Sequence, residues 1–159
     1  MDKDKSLREH VLNQLRGGQA HLTFDQAVAN FPEKLRSQKV RNLPHTAWQI
    51  LEHIRIAQCD ILEFSRDATH VSPEWPSGYW PKTAAPPSRT AWNASVTSFQ
   101  QDLRAMEQFV EDSATDLFAR IPLGTGQTIL REALLVADHN AYHIGQLVLI
   151  RRLLNAWKD

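Results

Sequence analysis

The chain has 159 residues, a mass of 18.2 kDa, 18 basic and 18 acidic residues, and a pI of about 7.1. This length predicts a single domain over residues 1–159. The balanced charge argues against a nucleic-acid-binding protein, because neutralising phosphates normally requires a basic excess. No apolar run approaches the roughly 18 residues of a membrane span, and the charged N-terminus predicts no signal peptide. Both observations favour a cytoplasmic protein. The lone cysteine, Cys59, cannot form an internal disulfide, and its apolar helical context predicts a buried structural thiol.

Helical periodicity predicts two long helices in the N-terminal half of the chain. The first covers about residues 6–16 and ends at a Gly-Gly pair. A short helical segment is expected after Thr23, which can cap it. The second long helix begins after Thr46, because Thr46 and Gln49 have the spacing of a capping box. Its apolar stripe continues to about residue 66.

Two further long helices are predicted in the C-terminal half. One covers about residues 88–112, and the other begins near residue 128 and can run almost to residue 157. A Pro- and Gly-containing stretch at 121–126 separates them. Four long helices with connecting loops predict an all-α fold, a four-helix bundle whose facing side chains can build a site in the core.

A proline-rich loop at residues 67–87 separates the second and third long helices. It also contains the aromatic residues Trp75, Tyr79 and Trp80. Loops of this length inside a compact domain are commonly functional or mobile. We therefore expect these rings either to wall a pocket or to pin the loop onto the bundle.

His139 and His143 lie four residues apart on the last helix. At 3.6 residues per turn, their side chains point within about 40° of each other and are separated by about 6 Å along the axis. Both imidazoles can therefore bind one metal ion. HxxxH alone is weakly specific, but this pair lies on the apolar stripe of its helix. A shared cation would satisfy two buried polar rings that otherwise cost about 1–3 kcal/mol each when unpaired.

His53 is the candidate third ligand, because it borders the apolar stripe of the second long helix. Three neutral nitrogens would leave open positions on a metal, as in catalytic sites. Asp60, Glu132 and Gln146 are candidate partners that could orient the imidazoles. The alternative for each of these three is an ordinary helix-surface or interhelical hydrogen bond.

Four of the seven histidines are weaker candidates. His45 immediately precedes a helix cap, where it could reach a pocket mouth or serve as a turn residue. The other three lie in charged or loop contexts and are expected to be solvated: His10, His21 and His70.

Three segments resemble the DinB-like (YfiT-like) superfamily of metalloenzymes: PHTAWQILEH at 44–53, EWPSGYWP at 74–81 and ADHNAYHIGQL at 137–147. The resemblance covers nearly the whole chain and implies an up-down-down-up bundle. It also implies a three-histidine site for a divalent ion, Zn²⁺ or Ni²⁺, and frequent homodimers. Matched residue by residue, the metal ligands are His53, His139 and His143.

The resemblance also suggests a function. Relatives with an assigned activity are thiol-dependent transferases or isomerases that use bacillithiol, mycothiol or glutathione. The first hypothesis is therefore a metal-dependent thiol S-transferase, or a hydrolase that activates water, acting on a small-molecule substrate. The alternative is a non-catalytic, stress-related protein that binds a metal or a small molecule. No residue is identified from the sequence as a general acid or base.

Overall fold

The computed structural model describes residues 2–157 as an all-helical fold without a β-strand. The helices are α1 (Lys3–Arg16), α2 (Phe24–Val28), α3 (Ala47–Arg66), α4 (Ala91–Glu111) and α5 (Ile129–Leu153). Two short 3₁₀ turns lie in the loops, at Glu33–Leu35 and Ser77–Tyr79. The predicted all-α four-helix bundle is confirmed. No helix within residues 2–157 combines the length and the apolarity that crossing a membrane requires.

The ends of the helices follow local chemistry. Thr46 and Gln49 form the predicted capping box at the start of α3, and Thr23 forms a similar box at α2. The helix α4 begins at Ala91, three residues later than predicted, after a turn in which the Ala91 N–H donates to the Ser88 carbonyl. The helix α5 ends at Leu153 rather than near 157, because Asn155 adopts a positive φ of 52° that breaks the helix.

Contacts between α3, α4 and α5 establish their relative directions. Glu52 bonds Ser95 and Gln58 bonds the carbonyl of Phe99, so α3 and α4 run parallel. His53 lies against His143 while Gln58 bonds Asn140, so α3 and α5 run antiparallel. The long loop between α3 and α4 is therefore a crossover connection along the bundle.

The first helix completes the topology. Arg8 donates to the carbonyl of Val110, and Arg16 pairs with Glu107, so α1 runs opposite to α4. The four long helices are thus arranged up-down-down-up. Their core is formed by two buried apolar clusters: one centred on α2, α3 and the C-terminal half of α5, the other on α1, α4 and the N-terminal half of α5.

A polar cross-link is buried where three helices meet. The Gln58 Nε2 donates to the Phe99 carbonyl at 2.8 Å, and the Asn140 Nδ2 donates to the Gln58 Oε1 at 2.7 Å. Gln58 is fully buried, and Asn140 is 4% exposed. Because buried amides are costly when unpaired, these bonds favour one register of α5 against α3. That register places His139, the residue before Asn140, opposite His53.

Candidate metal centre

Three imidazoles meet between α3 and α5. His53 comes from the middle of α3, and His139 and His143 come from successive turns of α5. The ring centroids are 5.0 Å apart for His53 and His139, 4.6 Å for His53 and His143, and 4.5 Å for His139 and His143. One ligand nitrogen from each ring lies within 4.8 Å of the other two. The structure therefore brings together all three residues that the sequence predicts as ligands.

The spacing of the nitrogens suits one divalent ion. The Nε2 atoms of His53 and His139 are 3.2 Å apart. Two nitrogens bonded at about 2.1 Å to a tetrahedral metal lie about 3.4 Å apart. Neutral imidazole nitrogens are ligands that Zn²⁺ and Ni²⁺ accept. The cluster could therefore hold a metal ion. It stays a prediction that the ligands are His53, His139 and His143.

Hydrogen bonds fix the tautomers of two of the rings. The Nδ1 of His53 lies 2.8 Å from the Tyr79 carbonyl, and the Nδ1 of His143 lies 2.8 Å from the Gln146 Oε1. Both partners are oxygen acceptors, so each Nδ1 carries the hydrogen and each Nε2 keeps a free lone pair. The Nδ1 of His139 is buried and has no partner within residues 2–157.

The metal-free site keeps its imidazoles uncharged at neutral pH. Burial lowers the pKa of His139 to about 4, with further lowering by the rings of His143 and His53. Burial likewise lowers the pKa of His143 to about 4, against a raising contribution from Gln146. Burial also lowers the pKa of His53. Since only a neutral imidazole is a ligand, these rings need no deprotonation to bind a metal at pH 7.

The lowered pKa values predict acid sensitivity of the metal-free fold. Unfolded histidines titrate near 6.5, so between about pH 6.5 and 4 the unfolded state binds more protons than the folded state. The unfolding free energy should therefore fall as the pH is lowered through this window. Each ring changes the unfolding free energy by at most about 1.4 kcal/mol for each unit by which its pKa differs between the folded and the unfolded state. Solvent screening makes the change smaller.

Urea unfolding of the metal-free protein at pH 7 and pH 4.5 measures this dependence. The double variant His139→Gln/His143→Gln should show a flatter dependence, because it lacks both rings. If the unfolding free energy of the wild type and of the double variant depended equally on pH, the acid sensitivity could not be assigned to His139 and His143.

A cavity of about 610 Å³ opens beside the three imidazoles. Its apolar wall comes from α3, α5 and the loop between α3 and α4: Ala57, Ile61, Phe64, Trp75, Tyr79, Trp80, Leu135 and Tyr142. The far end is ionic, where Arg131 donates to the Glu132 Oε1 at 2.6 Å. The Glu132 side chain is 3% exposed and that of Arg131 is 55% exposed. The cavity suits a small molecule with an apolar body and a polar end.

The indole ring of Trp80 lies between two imidazole rings. Its ring stacks on His53 with centroids 3.9 Å apart and planes 1° apart, and on His45 at 3.9 Å and 16°. His45 is thus separated from the cluster by the indole, at the edge of the site rather than in it. The aromatic loop therefore both packs onto the bundle and walls the cavity, while Trp75 remains 76% exposed at the rim.

The three residues predicted to orient the imidazoles differ in the groups that they contact. Gln146 contacts the His143 ring, as proposed. Asp60 and Glu132 contact no imidazole of the cluster: Asp60 bonds Tyr79 and His70, and Glu132 bonds Arg131. Neither carboxylate bonds a ring of the cluster directly, and each makes ordinary side-chain hydrogen bonds, the alternative stated for these residues.

Two other predictions need correction. His70 was expected to be solvated, but its Nε2 lies 2.7 Å from the Asp60 Oδ1 and its side chain is 19% exposed. Cys59 is half-buried rather than buried. Burial, followed by the nearby carboxylates of Asp102 and Glu63, raises the pKa of the Cys59 thiol, which is consistent with an inert side chain.

One contact between the loop and the cluster of imidazoles is not predicted by the sequence. The Tyr79 carbonyl, a backbone atom, fixes the tautomer of His53. The Tyr79 hydroxyl donates to the Asp60 Oδ2 at 2.6 Å. Burial, then Asp60, raises the pKa of Tyr79 to about 12, so the hydroxyl stays protonated and able to donate. A backbone acceptor leaves no trace in residue types, so no sequence pattern could have revealed it.

The chain matches a model of a known protein family. A family model described as the DinB superfamily matches residues 14–147, which include α2, α3, α4 and all three imidazoles of the cluster. Searches among curated proteins and among solved structures find no match.

Proposed function

The chain belongs to the DinB superfamily, and from this membership we propose that it is a divalent-metal-dependent enzyme that transfers a low-molecular-weight thiol to a small electrophile. The observation that carries the proposal is the cluster of three neutral imidazoles on the wall of the 610 Å³ cavity. Three nitrogen ligands leave open positions on a metal, and here those positions would face the cavity. A metal whose ligands are all enclosed would instead be structural.

The residues of the site have separable roles in this proposal. His53, His139 and His143 would hold the ion, here Zn²⁺ or Ni²⁺. A bound divalent ion supplies Lewis acidity, which lowers the pKa of a thiol or a water at its open positions. Trp80 holds the plane of His53 and, with Tyr79, closes one side of the cavity against solvent. The apolar wall would take the body of the electrophile.

The reaction is a nucleophilic substitution. The thiol loses its proton to solvent, and its sulfur forms a bond to the electrophilic carbon. The bond from that carbon to the leaving group breaks, and the leaving group departs with the electron pair. No residue is assigned as general acid or base. The predicted homodimer and the predicted cytoplasmic location stay predictions from the sequence.

Conjugation of thiols tests the proposal. Zn²⁺- or Ni²⁺-loaded protein is mixed with glutathione, bacillithiol or mycothiol and a nitro-activated aryl chloride, and the absorbance of the aryl thioether product is followed as chloride leaves. At least one thiol should react at least about 100-fold faster than in the spontaneous reaction. The variant His53→Ala should lose this rate, whereas Cys59→Ser should keep it, because Cys59 lies outside the cavity lining.

Two negative results would have different meanings. A metal-loaded protein that accelerates none of the three thiols would contradict the transferase and favour non-catalytic binding of a metal or small molecule. A protein that binds no divalent metal would contradict the transferase and the metal-binding alternative, and would favour non-catalytic binding of a small molecule.

A further inference from the structure

We propose that Asp60 and Tyr79 are positioning residues for His53, and that they couple docking of the loop between α3 and α4 to the form of His53 that can bind a metal. The inference rests on the proposed function in treating His53 as a ligand. It adds residues that are not metal ligands and that act on the metal site through the hydrogen bond to His53.

The helix α3 provides both ends of this arrangement. His53 and Asp60 are seven residues apart, about two turns, and therefore lie on one face of the helix about 10 Å apart. Both line the cavity. The loop lies across this face and contacts α3 at each of the two residues.

Tyr79 connects the two contact points. Its hydroxyl donates to the Asp60 Oδ2 at 2.6 Å, and its carbonyl accepts from the His53 Nδ1 at 2.8 Å. The remaining Asp60 oxygen, Oδ1, bonds the His70 Nε2 at 2.7 Å. One carboxylate on α3 thus holds two loop side chains, and its own side chain is 11% exposed.

These bonds determine which nitrogen of His53 is free. While the Tyr79 carbonyl is in place, Nδ1 carries the hydrogen and Nε2 offers its lone pair, 3.2 Å from the His139 Nε2. If the loop shifts, the Nδ1–H loses its acceptor and the other tautomer becomes accessible. In that tautomer Nε2 carries the hydrogen and cannot be a ligand. Outer partners of metal-binding histidines typically change metal affinity by about 10–100-fold.

Stacking against Trp80 also fixes the orientation of the His53 ring. Trp80 follows Tyr79 directly, and its ring lies 1° from parallel to the His53 ring. The hydrogen bond fixes the tautomer and the stacking fixes the plane. Both come from the segment of loop that the Asp60–Tyr79 bond anchors.

The two tyrosines of the chain provide a matched test. Tyr79→Phe removes the hydroxyl but keeps the ring and the carbonyl, and Tyr142→Phe makes the same change in a ring that also lines the cavity. We expect Tyr79→Phe to weaken Co²⁺ binding about 10–100-fold and to alter the visible absorption of the Co²⁺ complex. Tyr142→Phe should leave both unchanged. Wild-type affinity and spectrum in Tyr79→Phe would overturn the inference.

A second variant tests whether the two residues act as one unit. Asp60→Ala should weaken Co²⁺ binding in the same direction, and Tyr79→Phe/Asp60→Ala should bind no more weakly than Asp60→Ala alone. If the two losses of Co²⁺ affinity added in the double variant, Asp60 and Tyr79 would not act on His53 through the same loop contact. Circular dichroism at the titration temperature confirms that the variants compared are folded.

A measurement on the metal-free protein separates this inference from the proposed function. Two-bond ¹H–¹⁵N NMR correlations report which ring nitrogen of His53 carries the hydrogen. The wild type and Tyr142→Phe should show His53 protonated at Nδ1, and Tyr79→Phe should show a mixture of tautomers. An unchanged tautomer in Tyr79→Phe would overturn the inference even if the wild type binds metal. The expected mixture would support it even if the wild type lacks transferase activity.

Discussion

His143→Ala is expected to lower the affinity of the protein for Zn²⁺ by at least about 100-fold, because losing a ligand costs more than losing one of its outer partners. The His143 side chain is well placed for this role. It is 7% exposed, its Nδ1 is held by Gln146, and its ring lies less than 5 Å from both other imidazoles. Without it, two nitrogens from different helices would remain.

Competition with a chromophoric chelator measures this affinity, and elemental analysis gives the metal content of the purified protein. His10→Ala is the control, since His10 is exposed on α1 and belongs to no cluster of candidate ligands within residues 2–157. The wild type and His10→Ala should each hold about one equivalent. A His143→Ala protein with as much bound metal as the wild type would contradict the three-ligand site.

Gln58→Ala is expected to destabilise the fold by about 3–5 kcal/mol, the largest stability change that we predict. The substitution removes two buried hydrogen bonds: the Asn140 Nδ2 loses its acceptor, and the Phe99 carbonyl keeps only its place in the hydrogen-bond ladder of α4. The unpaired Asn140 Nδ2 costs about 1–3 kcal/mol, the lost bond to Phe99 about 0.5–1.5 kcal/mol, and the lost side-chain volume adds to this. Because the bonds connect α3 to α4 and α5, the register that brings His53 to His139 should also loosen.

Urea unfolding at pH 7 measures the stability, with Gln108→Ala as the control. Gln108 is exposed on α4, so its substitution should change the unfolding free energy by less than about 0.5 kcal/mol. Equal stabilities for Gln58→Ala and the wild type would show that the cross-link contributes little.

Much of the fold could be predicted from local sequence. The Thr46–Gln49 capping box places the start of α3 correctly, because both of its hydrogen bonds are local. The four-residue spacing of His139 and His143 places them on one face of α5 for the same reason. His53 is predicted as the third ligand because it borders the apolar stripe of α3 and α5 offers a facing pair of histidines.

Other features depend on tertiary contacts that local patterns do not contain. His70 looks like a solvated loop histidine, and only the folded loop brings it to Asp60. Asp60 has the right position on α3 to orient His53, yet it acts through Tyr79, a residue of the loop. The register of α5 against α3 depends on Gln58 and Asn140, which are far apart in the chain.

A crystal structure of the Zn²⁺-loaded protein, with anomalous data at the zinc edge, tests the central claim most directly. We predict one anomalous peak within about 2.1 Å of the Nε2 atoms of His53, His139 and His143. A peak elsewhere, or rings too far apart to share one atom, would contradict the metal centre and the chemistry proposed for it.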